Sequence, residues 1–364
     1  SSDLSVSPVT PPTPLIVSVP TDELRDDLGD LPEGVEVVVW DMTGPAPRDR
    51  FDMIVPPYMS MNDVIGRLSE IEVGLVQGQS IGYDNVEGRL PEGIVFANAS
   101  SVHETATSEL AVALALAAQR HLPDFVRAQD RGEWTSGMTP GLADARVTLL
   151  GFGGVGRAIA ARLAPFEVTL RAVASHGRLQ DDVEVFPLGK LEEVLADTDI
   201  LIASLPGGDA TRHLIDDRAL SALPDGALVV NVGRGPLIDT DALVDHVRRG
   251  RIRAALDVTD PEPLPADHPL WALDGVLIAP HVGGATDAMR PRIARLVRRQ
   301  IERLHRGEKP LRVVGLRRGE QLADAGRFLH APLAHHDDTV GDVGDDPHVV
   351  GDHDDRRADA LPQT

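Results

Sequence analysis

Residues 146–156 read RVTLLGFGGVG, and RAIAARL follows at 157–163. An apolar strand runs into a glycine-rich turn, and the turn opens an amphipathic helix expected over 154–163. Gly151 permits a tight turn, Gly153 lets backbone approach a pyrophosphate, and Gly156 lets helix and strand pack closely. Gly154 and Val155 lie in the first helical turn, where unpaired N–H groups and the positive end of the helix dipole favour a phosphate. A glycine-rich turn alone is a weak signal. Set between a strand and a helix, it points to a bound dinucleotide.

Downstream, apolar runs recur at 168–174, 199–204, 227–233, 253–258 and 275–280, mostly with helical segments between them. With 146–153 they make six strands, which suits a doubly wound dinucleotide-binding sheet. The second strand of such a sheet ends on an acid when the ribose hydroxyls of NAD are to be bonded. Here that position falls on Ala174, and no acid occurs before Asp181. Ser175, His176 and Arg178 stand there instead. A hydroxyl and a guanidinium suit a 2′-phosphate, so NADP(H) is favoured over NAD(H).

Upstream, strands are expected at 14–19, 35–40, 51–55, 73–77 and 93–98, with helices over 22–28 and 62–71. This alternation implies a second, mostly parallel sheet. An Ala/Leu-rich helix over 104–120 is apolar on most faces and belongs between two layers. Another long helix is expected over 287–304. The composition agrees with this architecture. At about 150 residues per domain, 364 residues suggest roughly two domains. Only 3% of residues are aromatic, so the core must be Val, Leu, Ile and Ala, as in a parallel sheet covered by helices. The absence of cysteine excludes disulfide scaffolds, thiol catalysis and cysteine-ligated metals. Lys and Arg number 35 against 57 Asp and Glu, a net charge of −22 that repels phosphate backbones, so no nucleic acid partner is expected. No run reaches the roughly 18 apolar residues of a membrane span, and residues 1–14 resemble a flexible leader more than a secretion signal. The expectation is a cytoplasmic protein with no membrane partner.

Three loops share one placement, each just beyond a strand. NVGRGPLID (231–239) carries Arg234, LDVTDPEPLP (256–265) carries Asp257 and Glu262, and APHVGGAT (279–286) carries His281. In open α/β sheets, sites form outside the carboxyl ends of the strands. One arginine, one carboxylate and one histidine are therefore expected to converge. Reduction of a 2-oxo acid needs such a set: a fork for the carboxylate, a proton donor, and an acid to orient the donor.

In this order the motifs resemble those of the D-isomer-specific 2-hydroxyacid dehydrogenase family, which includes glyoxylate/hydroxypyruvate reductases. The resemblance runs over residues 15–314. It rests on GQSIGYDNV (78–86), GFGGVG (151–156), SLPGGDATRHLID (204–216), NVGRGPLIDTDAL (231–243), ALDVTDPEPLP (255–265), HPLW (268–271) and APHVGGAT (279–286). It implies α/β architecture with two doubly wound parallel-sheet domains. A Rossmann cofactor domain (104–286) would be inserted into a flavodoxin-like substrate domain (15–103 and 287–314), and the protein would be a homodimer. It implies that Arg234, Glu262 and His281 are catalytic, acting on a small 2-oxo acid to give a (2R)-hydroxy acid. Backbone N–H groups at Ser80, Ile81 and Gly82 would hold the substrate carboxylate with Arg234. Asp257 would bond the nicotinamide carboxamide. Leu205, Pro206, Thr211, Val232 and Gly233 would line the cofactor channel, and Thr107 would approach the pyrophosphate. The loop 56–61 and side chains near Gln77 are expected in the pocket wall.

Phosphoglycerate and phosphite dehydrogenases of the same superfamily remain alternatives, as does a non-enzymatic NAD(P)H-binding sensor or corepressor. Formate dehydrogenases pair the histidine with Gln, and Glu262 argues against that chemistry. VHET (102–105) opens like a zinc-protease motif, but Thr107 stands where the second histidine is needed, so no metal site is expected. Trp271 is expected to be a packing anchor, with a role at the dimer surface or pocket as the second reading. Residues 315–364 hold 11 acidic and 5 basic residues with little apolar periodicity, which suggests a disordered acidic tail or a shifted reading frame. His335, His336, His348 and His353 in it would bind metal weakly at most.

Overall fold

The computed structural model describes residues 14–314, apart from Asn85, Glu87 and the side chain of Asn62. The leader up to residue 13 and the whole acidic tail, with its four named histidines, lie outside the described residues.

The strands in chain order are β1 (Leu15–Val19), β2 (Val35–Val39), β3 (Arg50–Ile54), β4 (Glu72–Gln77), β5 (Val95–Ala97), β6 (Arg146–Leu150), β7 (Thr169–Ala174), β8 (Arg178–Gln180), β9 (Val183–Pro187), β10 (Ile200–Ala203), β11 (Ala227–Asn231), β12 (Ile252–Leu256), β13 (Val276–Ile278) and β14 (Val313–Val314). They form two sheets within one compact unit. The first has the order β2-β1-β3-β4-β5-β14, and only β14 runs antiparallel to its neighbour. Its first five strands have the flavodoxin order. The second has the order β8-β9-β7-β6-β10-β11-β12-β13, parallel except for β8. Strand order reverses between β6 and β10, the switch point at which a Rossmann sheet takes its ligand.

Both faces of both sheets are covered, which is why the central strands are apolar at consecutive positions. Every residue of ALVVN in β11 and of ILIA in β10 is buried. One face of the second sheet packs Leu150, Leu201, Val229, Leu243 and Val247. The other packs Leu149, Ile202, Val230 and Ile159 against Ala111, Leu114 and Ala115 of the helix Glu104–Gln119. The last helix, Met289–His305, lies on the first sheet, where Ile293, Val297 and Ile301 meet Val17, Met53 and Leu75. A buried polar bridge reinforces this contact. Gln300 donates from Nε2 to Gln77 Oε1 at 2.6 Å and to the Leu311 carbonyl at 2.9 Å, and its own oxygen accepts from the Leu311 N–H at 2.8 Å.

Several expectations change. The second sheet has eight strands instead of six, because a hairpin of β8 and β9 extends it. The connection is Asp181-Asp182, both with positive φ. A two-residue turn of that geometry is usually signalled by Asn-Gly, and Asp-Asp carries no such signal. Arg178 therefore lies in a strand and not in an open loop. β14, only two residues long, was also not expected. The helix at 62–71 is one α-helical turn, Met61–Val64, followed by a 3₁₀ stretch, Ile65–Glu70, with Gly66 at the change. Trp271 is 52% exposed, its indole N–H donating to the Pro265 carbonyl at 2.8 Å, so it is no buried anchor. Gln77 itself is fully buried in the polar bridge.

Candidate active site

The loops that carry the expected residues all leave the carboxyl ends of strands: 78–84 after β4, 151–156 after β6, 232–234 after β11, Asp257 after β12 and 279–283 after β13. Two strand ends shape their loops directly. Asn231, wholly buried, accepts from the Gly233 N–H at 3.0 Å and donates to the Arg234 carbonyl at 2.9 Å, which fixes the turn that projects Arg234. Asp257, 3% exposed, accepts from the N–H groups of Val282 at 2.8 Å and Gly283 at 3.0 Å, while its own carbonyl accepts from the His281 N–H at 2.7 Å. His281 is held at φ 53°, a conformation rare for a non-glycine residue, and these three bonds secure it.

The structure joins His281 to Glu262: imidazole Nδ1 lies 2.5 Å from Oε1. This hydrogen bond raises the His281 pKa above the ordinary histidine value. Burial opposes the shift, the Glu262 and Asp257 carboxylates favour it, and the Arg234 charge opposes it. Burial also raises the Asp257 pKa, partly offset by the two N–H donors. Arg234 enters the same electrostatic neighbourhood but does not bond either partner directly. Its Nε donates to Asp84 Oδ2 at 2.7 Å and its Nη1 to the Gly233 carbonyl at 2.7 Å. Nη2 lies against Gly82, where a β-carbon would overlap it. The Ser80–Ile81–Gly82 backbone is braced from behind: Asn98 donates to the Ile81 carbonyl at 2.9 Å, and the Ala99 N–H donates to the Ser80 carbonyl at 2.9 Å.

Three residues escaped the sequence reading. Asp84 lies within GQSIGYDNV, where nothing in its local sequence marks it for a role. Tyr58 falls in the expected loop 56–61. Its hydroxyl lies beside Gly284 in the loop that carries His281, and its pKa is raised by burial and by the Asp257 charge, with Arg234 opposing. Its ring stacks on His103 with centroids 5.7 Å apart. Asn231 looked like a strand residue, and only its buried amide reveals the turn it builds.

The glycine-rich turn fits a dinucleotide. Gly151 has φ 104°, and a β-carbon on Gly156 would overlap the Gly151 carbonyl oxygen. The helix Gly154–Leu163 starts at Gly153 with no side-chain cap, so its first N–H groups are available to an anion. Leu205, 8% exposed, packs against Gly151, and Val232 is buried in the core on the opposite face of the sheet. The Thr107 methyl approaches Gly283, beside Asp257. Thr211 turns its hydroxyl to the Pro206 and Gly208 carbonyls, at 2.9 and 3.1 Å, and closes that loop on itself. Ser175 and His176 are exposed at the end of β7. Arg178 bonds Gln180 at 2.6 Å and the His176 carbonyl at 3.1 Å, and reaches the Phe152 carbonyl of the glycine-rich turn at 3.5 Å. Asp181 is paired with Arg157 at 2.6 Å. No helix among the described residues is long and apolar enough to cross a membrane.

Comparison with known proteins points one way. The model of the D-isomer specific 2-hydroxyacid dehydrogenase NAD-binding domain matches residues 112–283. A glyoxylate reductase of Thermofilum pendens is 34% identical over 251 residues, covering 65% of this chain and 73% of that protein. Among solved structures, a D-isomer specific 2-hydroxyacid dehydrogenase of Xanthobacter autotrophicus in complex with NADPH and MES is similar with a TM-score of 0.72 at 28% identity. It covers 84% of this chain and 99% of that one. An NADPH-dependent glyoxylate/hydroxypyruvate reductase of Sinorhizobium meliloti, in complex with NADP and malonate, is similar with a TM-score of 0.68 at 26% identity, covering 84% and 97%.

Proposed function

The chain belongs to the D-isomer-specific 2-hydroxyacid dehydrogenase family, oxidoreductases acting on CH–OH groups, and we propose that it reduces a small 2-oxo acid of the glyoxylate/hydroxypyruvate kind with NADPH. The observation that carries this reading is the His281–Glu262 hydrogen bond in the electrostatic range of Arg234. When bound, the nicotinamide supplies the hydride to the carbonyl carbon. Arg234 bonds the substrate carboxylate and polarises the carbonyl, together with the N–H groups around Ser80, Ile81 and Gly82. His281, as imidazolium, gives its proton to the carbonyl oxygen, and a (2R)-hydroxy acid results. Glu262 fixes the tautomer and favours the charged ring.

The residues that would hold the cofactor are the turn Gly151, Gly153, Gly154, Val155 and Gly156, with Leu205, Pro206, Thr211, Val232, Gly233 and Thr107 along the channel. Asp257 retains lone pairs for the carboxamide beyond the two it shares with backbone. Preference for NADP(H) rests on Arg178 beside the glycine-rich turn, with Ser175 and His176 next to it. Asp181, the first acid after β7, is paired with Arg157.

The proposal includes a homodimer. Leu122, Phe125, Val126, Trp134 and Met138 are exposed along one segment, Trp134 by 97%, and a second copy is the partner we assign to them. A panel of 2-oxo acids assayed with NADPH and NADH in parallel tests the whole reading. Binding of NADPH with no turnover of any 2-oxo acid would replace it with a sensor or corepressor.

A further inference from the structure

His103, the histidine of VHET (102–105), is 5% exposed and does not cap the helix Glu104–Gln119 that starts beside it. Its ring reaches two other loops instead. Nε2 lies 2.6 Å from the Gln79 carbonyl, and Nδ1 lies 3.4 Å from the Gly284 carbonyl. A carbonyl only accepts, so the short contact places the ring proton on Nε2. Tyr58 stacks on the imidazole, and a β-carbon on Gly284 would stand 2.8 Å from Nδ1. Gln79 is itself buried, so its carbonyl depends on this donor.

The bond completes a row. The Ser80 carbonyl accepts from the Ala99 N–H and the Ile81 carbonyl from the Asn98 amide, both at 2.9 Å. Three consecutive carbonyls, from Gln79 to Ile81, are thus held by donors of one short segment, 98–103. Each carbonyl shares a planar trans peptide with the N–H of the next residue, and the two groups point in opposite directions. Fixing these carbonyls therefore aims the N–H groups of Ser80, Ile81 and Gly82 away from that segment. Among the described residues no acceptor takes these three N–H groups.

We propose that His103 is a positioning residue for the substrate: through the Gln79 carbonyl it aims the Ser80 N–H at the substrate carboxylate and strengthens it as a donor. This rests on the dehydrogenase reading and adds a residue to its substrate site. A donor on the carbonyl end of a peptide polarises the amide, and the N–H at the other end then bonds an anion better. His103 acts through backbone alone and exchanges no proton with the substrate.

The test uses the full chain, NADPH and a 2-oxo acid that the unsubstituted protein reduces. H103F keeps a ring against Tyr58 and removes the donor to Gln79. KM should rise about tenfold with kcat changed less, and the Kd of oxamate, read by quenching of NADPH fluorescence, should rise with it. Kd for NADPH should stay within about twofold. H103Q returns an amide donor at nearly the reach of Nε2 and should recover most of the loss. G284A leaves His103 in the chain but drives a β-carbon against its ring, and should raise KM and the oxamate Kd as H103F does. It carries the comparison if thermal unfolding shows that H103F fails to fold. A KM and an oxamate Kd unmoved in the folded variants, or equal losses in H103F and H103Q, overturn the proposal. An unsubstituted protein that reduces no 2-oxo acid brings down the dehydrogenase reading, and this proposal with it.

Discussion

His281 Nδ1 and Glu262 Oε1 are 2.5 Å apart, although the two residues follow different strands. The carboxylate raises the pKa of the ring, so the imidazolium persists to higher pH than in water. Reduction needs the imidazolium and falls as pH rises through that raised pKa. Oxidation of the hydroxy acid needs the neutral ring and falls as pH drops through it. Glu262→Gln removes the charge, and both limbs should move to lower pH. Profiles of kcat/KM against pH in the two directions read this. An unmoved limb would mean that another group carries the proton.

His281→Ala removes the proposed proton donor and leaves the glycine-rich turn untouched. Turnover should fall by about 10²–10⁴-fold. NADPH affinity, measured by fluorescence titration, should stay within about twofold of the original. Near-normal turnover would remove His281 from the mechanism.

Arg234→Lys replaces a planar fork with a point charge and loses the Nε bond to Asp84. Charge-assisted hydrogen bonds contribute about 1.5–3 kcal/mol, so kcat/KM for a 2-oxo acid should drop roughly ten- to a hundredfold. Cofactor affinity should hold. An unchanged specificity constant would count against the assigned role.

Arg178→Ser tests the cofactor preference. The guanidinium sits between Gln180, the His176 carbonyl and the glycine-rich turn, and serine carries no charge for a 2′-phosphate. Kd for NADPH should rise about tenfold or more, while Kd for NADH stays level. Equal losses for both cofactors would show that Arg178 only supports the hairpin.

Gln300→Ala concerns stability and not chemistry. It strands the Gln77 amide oxygen and the Leu311 N–H in a buried setting, at about 1–3 kcal/mol for each group. The Tm should fall by several degrees, while kcat at low temperature is retained. An unchanged Tm would mean that water replaces the lost partner.

Much of this molecule is legible in one dimension because parallel sheets write themselves as apolar runs. ALVVN and ILIA need no tertiary information to be read as strands. The glycine-rich turn is equally plain, since each of its glycines answers a local steric demand. Contacts between distant segments are another matter. Asp84 and Arg234 are 150 positions apart, and neither shows in its own neighbourhood that the other is its partner. Asn231 has the surroundings of a strand residue, and its purpose appears only once the amide is seen to bond the turn beyond it. The β8–β9 hairpin was missed because two aspartates occupy the turn, where residues easier in positive φ are the usual sign. Trp271 sits at the surface, its indole N–H bonding the Pro265 carbonyl, which fits the second reading of this residue and not the buried anchor.

The seating of Met289–His305 on β1, β3 and β4 bears on how the polypeptide matures at the ribosome. The first sheet precedes the second along the chain, but the helix that seals one of its faces is translated after the whole second sheet, and β14 later still. The second sheet lies wholly between these parts and has its strands in hand sooner. It is therefore the half expected to condense first, while the earlier segment waits with Val17, Met53 and Leu75 uncovered. A chain ending short of Met289 would carry a complete second sheet beside a first sheet still open on one face, and that state is the one chaperones have most to shield.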